Sequence, residues 1–386
     1  MKKKARVIDV YSYGCYHEVI NQGFLMMISL LYDEVVYVAE KTSIENLKKL
    51  LDSCGVDYSN VSFVEKKIWF PKFKSAGLSY LFRIVKVSLY NWLYYLRTPR
   101  NTDVFYNNNL YFAIWLLKNL SFAKGNRVFD LCHNEMEIID PSKRDSRVIS
   151  ILGSFFDLVF KKNNLPAFVE FILLSPKMVE YFNSWIKEEN RSHIQWIDHC
   201  YIRPENKKVK DVVVYEEKIK IGVPGAINEK RGLPQLKQIL SKMKRNNVKI
   251  YATSFVLGIN NMDCFECLNK TGKLLPFDIY NSYIQQMDAL MLFYNCDSYK
   301  LTASGAILEA IWNEKAIYAL RNEYFDYLFD EFGELGELFD TVEELTNRLN
   351  SLSKEEIGSF KKNLQDAKKK LHPEQVAYRL RAIINA

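Results

Sequence analysis

Asp288-Ala289-Leu290-Met291-Leu292-Phe293-Tyr294 is a short apolar run led by a carboxylate, and Leu301-Thr302-Ala303-Ser304-Gly305-Ala306-Ile307-Leu308-Glu309-Ala310 follows it. A continuous apolar run of this length suits a strand buried on both faces of a parallel sheet. The second stretch turns at Ser304-Gly305 and continues as an apolar helix, with one carboxylate four residues beyond the glycine. The turn therefore falls where a strand's C-terminus meets a helix's N-terminus. Unpaired N–H groups and the positive end of the helix dipole favour an anion there, by up to about 2 kcal/mol in partly buried geometry. Glycine lets the backbone approach that anion without an intervening side chain. Glu309, one turn on, has the acceptor capacity to take two ribose hydroxyls. The same residues also describe an ordinary helix start with a solvated glutamate.

The alternation extends in both directions along the chain. Strand-like runs are expected at Ala5 to Val10, Val35 to Ala39, Val61 to Glu65, Val104 to Asn107, Arg127 to Cys132, Phe171 to Ser175 and Ile194 to Ile197. Helix-period segments separate them, near Glu18 to Leu31, Ser43 to Ser53, Leu78 to Leu96, Leu110 to Leu120, Ser146 to Phe160 and Pro176 to Ile186. Arg203 to Lys220 is charged and marked by Pro204, and a second series begins after it: Lys218 to Val223, Val248 to Thr253, Ala289 to Tyr294 and Ala316 to Leu320. Strands alternating with helices specify parallel sheets with crossover helices. The expected fold is thus α/β, with two doubly wound Rossmann-like domains at 1–205 and 206–370. The tail Lys354 to Ile384 is helical with a break at Pro373, and its last helix, 371–386, can cross back onto the first domain.

Composition agrees with a folded, two-domain chain. At 386 residues, with 48% hydrophobic and 14% aromatic residues and no low-complexity stretch, it can bury two cores. No repeat of solenoid or propeller period is present. Seven scattered cysteines, an odd number, suit a reducing compartment, so the expected location is the cytoplasm. Cys264-Phe265-Glu266-Cys267 has the spacing of half a zinc knuckle, without a second pair or nearby histidine to complete it. Met1-Lys2-Lys3-Lys4 is basic, but Asp9 interrupts the apolar run behind it, which reads as a first strand and not as an export signal.

The second half resembles glycosyltransferases of the GT-B fold, in particular the retaining group that uses nucleotide sugars. Four features carry the likeness. Ile221-Gly222-Val223-Pro224-Gly225 leads to Lys230-Arg231-Gly232-Leu233, where the resemblance implies a basic residue on the diphosphate, Arg231 with Lys230 beside it. Leu275-Pro276-Phe277 ahead of Tyr280 is similar to the stretch near the nucleotide base. Asp288 to Phe293 matches an Asp-plus-apolar strand, and Ser304-Gly305 with Glu309-Ala310 matches the phosphate turn and ribose carboxylate. Gly225, Lys230, Arg231, Pro276, Thr302, Ser304, Gly305 and Glu309 are accordingly the candidate donor-binding residues. One departure stands out: where that group often carries an acidic residue, eight positions before the ribose glutamate, this chain has Leu301.

The resemblance implies two domains facing each other and transfer of a hexosyl unit from a nucleotide-sugar donor with retention. The implied acceptor is a growing, lipid-linked bacterial surface polysaccharide. Positioned cations and a helix N-terminus can stabilise a leaving diphosphate electrostatically. The chain contains no Asp-x-Asp, so neither a metal nor another cofactor is expected. In the first half, two polar clusters follow strands where acceptor-side residues belong. One is Tyr13-Gly14-Cys15-Tyr16-His17-Glu18 with Asn21 and Gly23, and the other is His133-Asn134-Glu135-Met136-Glu137. His133, Glu135 and His17 are the candidate catalytic residues, with a proton acceptor among them. Gly14, Asn21 and Asn134 are candidate acceptor-side residues. Local capping of the next turn is the competing reading of both clusters. His193, His199 and His372 are read as structural or solvated.

Between Lys66 and Arg100 there are eight basic residues and no acidic one, against a whole-chain charge of +7. Leu78, Leu81, Phe82, Val85, Leu89, Trp92, Leu93 and Leu96 within it fall at helical spacing. Arg83 and Lys86 would cost about 2.5–3.5 kcal/mol each at a bilayer centre, which argues against a spanning helix. Two readings remain: a helix lying on an anionic membrane surface, at the inner face of the cytoplasmic membrane, or an amphipathic helix packed on its own sheet with a solvated basic face. Nucleic acid is not an expected partner, since no recognition motif accompanies the charge. Two further functions stay open: a nucleotide-sugar epimerase or hydrolase of the same fold, and a non-catalytic nucleotide- or glycan-binding protein.

Overall fold

The computed structural model describes the whole chain except residues 1, 13–16, 68–73, 108–110, 119–124, 134, 205–217, 230, 245–246, 257, 274, 276 and 295–298, and the side chains of 76, 111, 118 and 277. It divides into two compact units. The first comprises Met1–Glu205, Leu301–Ala303 and Leu371–Ala386; the second comprises Asn206–Lys300 and Ser304–Lys370.

The first unit is built on a parallel sheet of β1 (Lys4–Asp9), β2 (Glu34–Glu40), β3 (Val61–Lys66), β4 (Asp103–Asn107), β5 (Val128–Leu131), β6 (Val169–Leu173) and β7 (Ile194–Trp196). Their order is β3-β2-β1-β4-β5-β6-β7. The chain thus winds outward from β1 in one direction and from β4 in the other. Val7 pairs with Phe105 across that central junction, and Phe105 stacks on Phe129 of β5 at 4.9 Å. β5 is buried along its whole length, as a strand covered by helices on both faces must be.

The second unit repeats the plan with β8 (Ile219–Val223), β9 (Val248–Ala252), β10 (Phe265–Cys267), β11 (Ala289–Leu292), β12 (Ala316–Leu320) and β13 (Gly336–Phe339), ordered β10-β9-β8-β11-β12-β13. Here the junction lies between β8 and β11, with Ala289 opposite Ile221 and Leu290 opposite Gly222. In a doubly wound sheet the loops leaving the two strands on either side of such a reversal diverge and open a crevice at the strand C-termini. Two strands, β10 and β13, were not among the runs expected from the sequence. Both are edge strands of three or four residues that carry a glutamate, too short and too polar for the apolar-run signal.

The last helix, Pro373–Asn385, belongs to the first unit and packs against the helix Glu18–Leu31. Pro373 sits in its first turn, where the missing N–H costs nothing. The Arg379 guanidinium lies 3.1 Å from the Trp196 ring centroid, and Arg127 donates to the Ile384 carbonyl. The helix Ala76–Leu96 packs through Ile84, Val87, Ser88, Asn91 and Tyr95, all buried. The apolar stripe visible in its sequence is a different face: Leu78, Phe82, Val85, Leu89 and Leu93 are exposed.

Candidate functional site

In the second unit the loop after β8 and the loop after β11 leave from the two strands at the sheet reversal. Gly225 follows β8 in the left-handed region at φ 79°, and a Cβ added to it would meet no atom within 4 Å. The loop closes on itself where Arg231 N–H donates to the Asn228 carbonyl at 2.8 Å and Leu233 N–H donates to the same oxygen at 3.1 Å. Gly232 then starts the helix Leu233–Lys242, also at φ 79°; a Cβ there would sit 2.4 Å from the Phe293 ring. This close approach brings the exposed Arg231 alongside the end of β11. The Arg231 guanidinium and the Glu309 carboxylate both act electrostatically on the Tyr294 phenol, with opposite signs, while burial pushes that phenol well above its usual range.

Ser304 is the N-cap of the helix Gly305–Trp312, with extended backbone at φ −90° and ψ 111°. Its side chain does not cap the helix, and its buried Oγ makes no hydrogen bond among the described residues. Gly305 is exposed and a Cβ on it would meet nothing within 4 Å, so the first N–H groups of this helix are approachable. One turn on, Glu309 is buried and its Oε2 accepts the Tyr280 hydroxyl at 2.7 Å. Within one unit these residues combine an accessible helix N-terminus and a guanidinium, which can meet an anion, with a buried carboxylate that can accept hydroxyls.

The first unit gathers titratable groups at the matching end of its sheet. His17 starts the helix Glu18–Leu31 at φ 58°, a left-handed conformation costing a non-glycine residue about 1–2 kcal/mol. Its ring lies edge-on to His133, with centroids 5.3 Å apart, and both His133 and His199 contact Phe24. Gly23 makes room for the segment that carries His199, since a Cβ there would fall 2.8 Å from Cys200 Sγ. Burial keeps this cluster neutral: it lowers His199 to about 4, and with neighbouring imidazoles it lowers His17 to about 4 and His133 well below its ordinary value. Glu135 follows β5, accepts the His133 backbone N–H at 3.0 Å on Oε2, and makes no hydrogen bond through Oε1 among the described residues. Burial raises its carboxyl to about 7.

Beside this cluster Asp9, the last residue of β1, is fully buried and raised by burial to about 6. It accepts from Asn21 Nδ2 at 2.5 Å, the Tyr37 hydroxyl at 3.0 Å and Ser12 N–H at 3.2 Å, while Asn107 donates to Asn21 Oδ1 at 3.2 Å. Among the described residues one group of ligand-type side chains is tight enough for a cation: Asp130, Cys132 and Glu135, with ligand atoms within 4.8 Å of one another. All three are buried and burial raises both the Cys132 thiol and Glu135, so a cation would have to displace their protons. Cys264 and Cys267 form no such group among the described residues; Cys267 donates weakly to the Ser254 and Asn269 carbonyls.

Gly225, Arg231, Ser304, Gly305 and Glu309 converge at the second unit's sheet reversal, whereas Lys230, Pro276, Gly14 and Asn134 lie outside the described residues. Thr302, read as donor-binding, groups with the first unit, where its hydroxyl donates to Glu137 Oε1. Leu301 beside it is buried. Asn21, read as acceptor-side, is buried with its amide engaged by Asp9, Ser12 and Asn107; in this structure it holds Asp9. Burial makes His133 a weak base, so the group of the cluster matched to neutral pH is Glu135. His199, read as structural or solvated, joins the histidine cluster, and Asp9 had no local signal at all. Both are placed by tertiary pairing across long sequence separations.

No protein-family model and no curated protein matches the chain. Solved structures match over its full length. Anabaena Alr3699/HepE in complex with UDP and glucose aligns with a TM-score of 0.64 at 12% identity, covering 100% of both chains. WaaG, a glycosyltransferase involved in lipopolysaccharide biosynthesis, aligns with a TM-score of 0.60 at 13% identity, covering 98% of this chain and 99% of the other. The N-terminal domain of Candida albicans trehalose-6-phosphate phosphatase aligns at 0.61 and 12% identity, over 100% and 96%. At these identities the likeness establishes the fold, two Rossmann-like units of the GT-B type.

Proposed function

We propose, on the premise of this GT-B fold, that the chain is a nucleotide-sugar-dependent hexosyltransferase acting on a growing, lipid-linked bacterial surface polysaccharide at the cytoplasmic face of the membrane. The observation that carries the reading is the approachable Ser304-Gly305 helix start with the Tyr280–Glu309 pair one turn behind it. A diphosphate on the Gly305 N–H groups and Arg231 leaves Glu309 to take ribose hydroxyls. The HepE structures hold UDP with glucose and UDP-glucose, so a UDP-hexose is the first donor to test. WaaG's part in lipopolysaccharide biosynthesis supports a surface glycan as acceptor.

In this mechanism the bond from the anomeric carbon to the diphosphate breaks while an acceptor hydroxyl attacks. Charge growing on the leaving diphosphate is stabilised by Arg231 and the helix dipole, without a metal. In the first unit, Glu135, with its carboxyl raised by burial to about 7, is the group we assign to take the acceptor proton. The resemblance implies retention of anomeric configuration, which in a single displacement requires the hydroxyl to attack from the face the diphosphate leaves.

A thermal-shift screen of nucleotide sugars and nucleoside diphosphates tests the reading. A ligand at a hundred times its Kd stabilises the folded state by about 2.7 kcal/mol. Arg231→Ala and Glu309→Ala should each abolish most of that shift. If no nucleotide raises the melting temperature, or both variants respond as the parent does, the donor site is wrongly assigned. The buried Leu301 favours a second reading, a nucleotide-binding protein without turnover; binding with no loss of donor in the presence of membrane glycolipids would select it.

A further inference from the structure

The helix Ala76–Leu96 carries two apolar faces although a helix packed on its own sheet needs one. Leu78, Phe82, Val85, Leu89 and Leu93, spaced by four, three, four and four residues, are 38–57% exposed. They are five of the eleven large hydrophobics that stand exposed among the described residues, a concentration and not scatter. Along the helix they span about 22 Å at 1.5 Å per residue. Gly77 lies beside Val148, whose Cγ2 would be 3.7 Å from an added Cβ, and Ile151 on that neighbouring helix is 48% exposed as well.

Every charged residue between 66 and 100 is basic. Arg83 turns inward to the Tyr11 carbonyl and Lys66 lies over the Tyr90 and Tyr94 rings. Lys74 precedes the stripe, and at helical spacing Lys86 and Arg97 fall along one margin of it. We propose that this face docks on an anionic lipid bilayer, with the helix in the interfacial plane, its five apolar side chains at the acyl boundary and Lys74 and Arg97 among the headgroups. No helix among the described residues is long and apolar enough to cross a membrane. A second copy fits worse, because a two-fold pairing sets the same face against itself and brings basic margins together with no acidic residue between 66 and 100 to offset them. The inference takes its biological sense from the lipid-linked acceptor proposed above, but its physical basis is independent of nucleotide binding.

Co-sedimentation of the full chain with vesicles of equal parts phosphatidylglycerol and phosphatidylcholine, against phosphatidylcholine alone, is the test. Binding should require the anionic lipid and weaken with salt. Lys74→Gln and Arg97→Gln together should weaken it about 25-fold, at about fivefold per charge. Phe82→Ser with Leu89→Ser should weaken it by about tenfold or more, and any nucleotide-induced thermal shift should persist because both side chains are exposed. Should the serine variant misfold, the glutamine variant still decides. Absence of binding to anionic vesicles, or binding that survives both sets of substitutions, overturns the proposal. So does a dimer in sedimentation velocity that is abolished by the serine pair. Docking without nucleotide binding would refute the donor site and leave this surface standing; nucleotide binding without docking would do the reverse.

Discussion

Glu309→Gln separates a ribose grip from a carboxylate that merely satisfies Tyr280. The side chain is 6% exposed and accepts the Tyr280 hydroxyl at 2.7 Å, and glutamine keeps both its shape and an acceptor for that bond. What it loses is charge. Hydrogen bonds to a charged group contribute about 1.5–3 kcal/mol against about 1 for neutral pairs, so two ribose hydroxyls should lose about 2 kcal/mol together. At 1.4 kcal/mol per decade this is about 30-fold in Kd. The assay is calorimetric titration of the best nucleoside diphosphate and of its dideoxyribose analogue against both proteins. The parent's preference for the ribose form should exceed the variant's by about 30-fold, with folding stability changed by less than about 1 kcal/mol. Tyr280→Phe is the control, since it removes the internal bond and leaves the carboxylate. Discrimination that survives Glu309→Gln undiminished would refute the assignment.

Gly232→Ala must place a Cβ 2.4 Å from the Phe293 ring at φ 79°. It should cost on the order of 2–4 kcal/mol, read as a lowered urea midpoint of the second unit; an unchanged midpoint would mean the loop is not held there. Glu135, raised by burial to about 7 from 4.5, keeps its proton in the folded state after the unfolded chain has released it. Its contribution is therefore complete below pH 4.5 and lost as pH rises through about 7. Asp9 acts in the same direction up to about pH 6, whereas His17 and His199, lowered to about 4, add stability that is lost as pH falls. The difference in urea stability between parent and Glu135→Gln across pH isolates the glutamate and should slope downward toward neutral pH; a flat difference would place Glu135 at an ordinary pKa. In turnover the same variant should lose about 100-fold with donor affinity intact. Deleting Pro373–Ala386 removes the buried Val376, Leu380 and Ile384 from the first unit. At roughly 1.5–3 kcal/mol per side chain the loss is on the order of 5 kcal/mol, visible as an earlier first-unit transition with the second preserved.

The parallel architecture was legible because buried strands write themselves as apolar runs: β1, β4, β8, β11 and β12 all lie within a residue or two of the runs read from sequence. β10 and β13 escaped because edge strands need only one apolar face. Arg231, Ser304, Gly305 and Glu309 were legible for a related reason. A glycine turn after a buried strand marks the carboxyl end of a parallel sheet, and the winding order makes β8 and β11 neighbours. The first unit's site was only half legible. His17 and Glu135 sit in local polar clusters, but His199 arrives from the chain segment after β7, and Asp9 is a single polar residue ending an apolar strand. The periodicity of Leu78 to Leu93 gave the helix but left open whether the stripe is packed or exposed, because periodicity cannot tell a core face from an exposed one.

The central claim is that the second unit grips a nucleoside diphosphate at the helix start after β11. A crystal structure with UDP, or whichever nucleoside diphosphate gives the largest thermal shift, tests it most directly. Phosphate oxygens should lie within hydrogen-bonding distance of the Gly305 N–H and of Arg231, with both ribose hydroxyls on the Glu309 carboxylate. Diphosphate bound elsewhere, or bound here with the ribose turned away from Glu309, would contradict it.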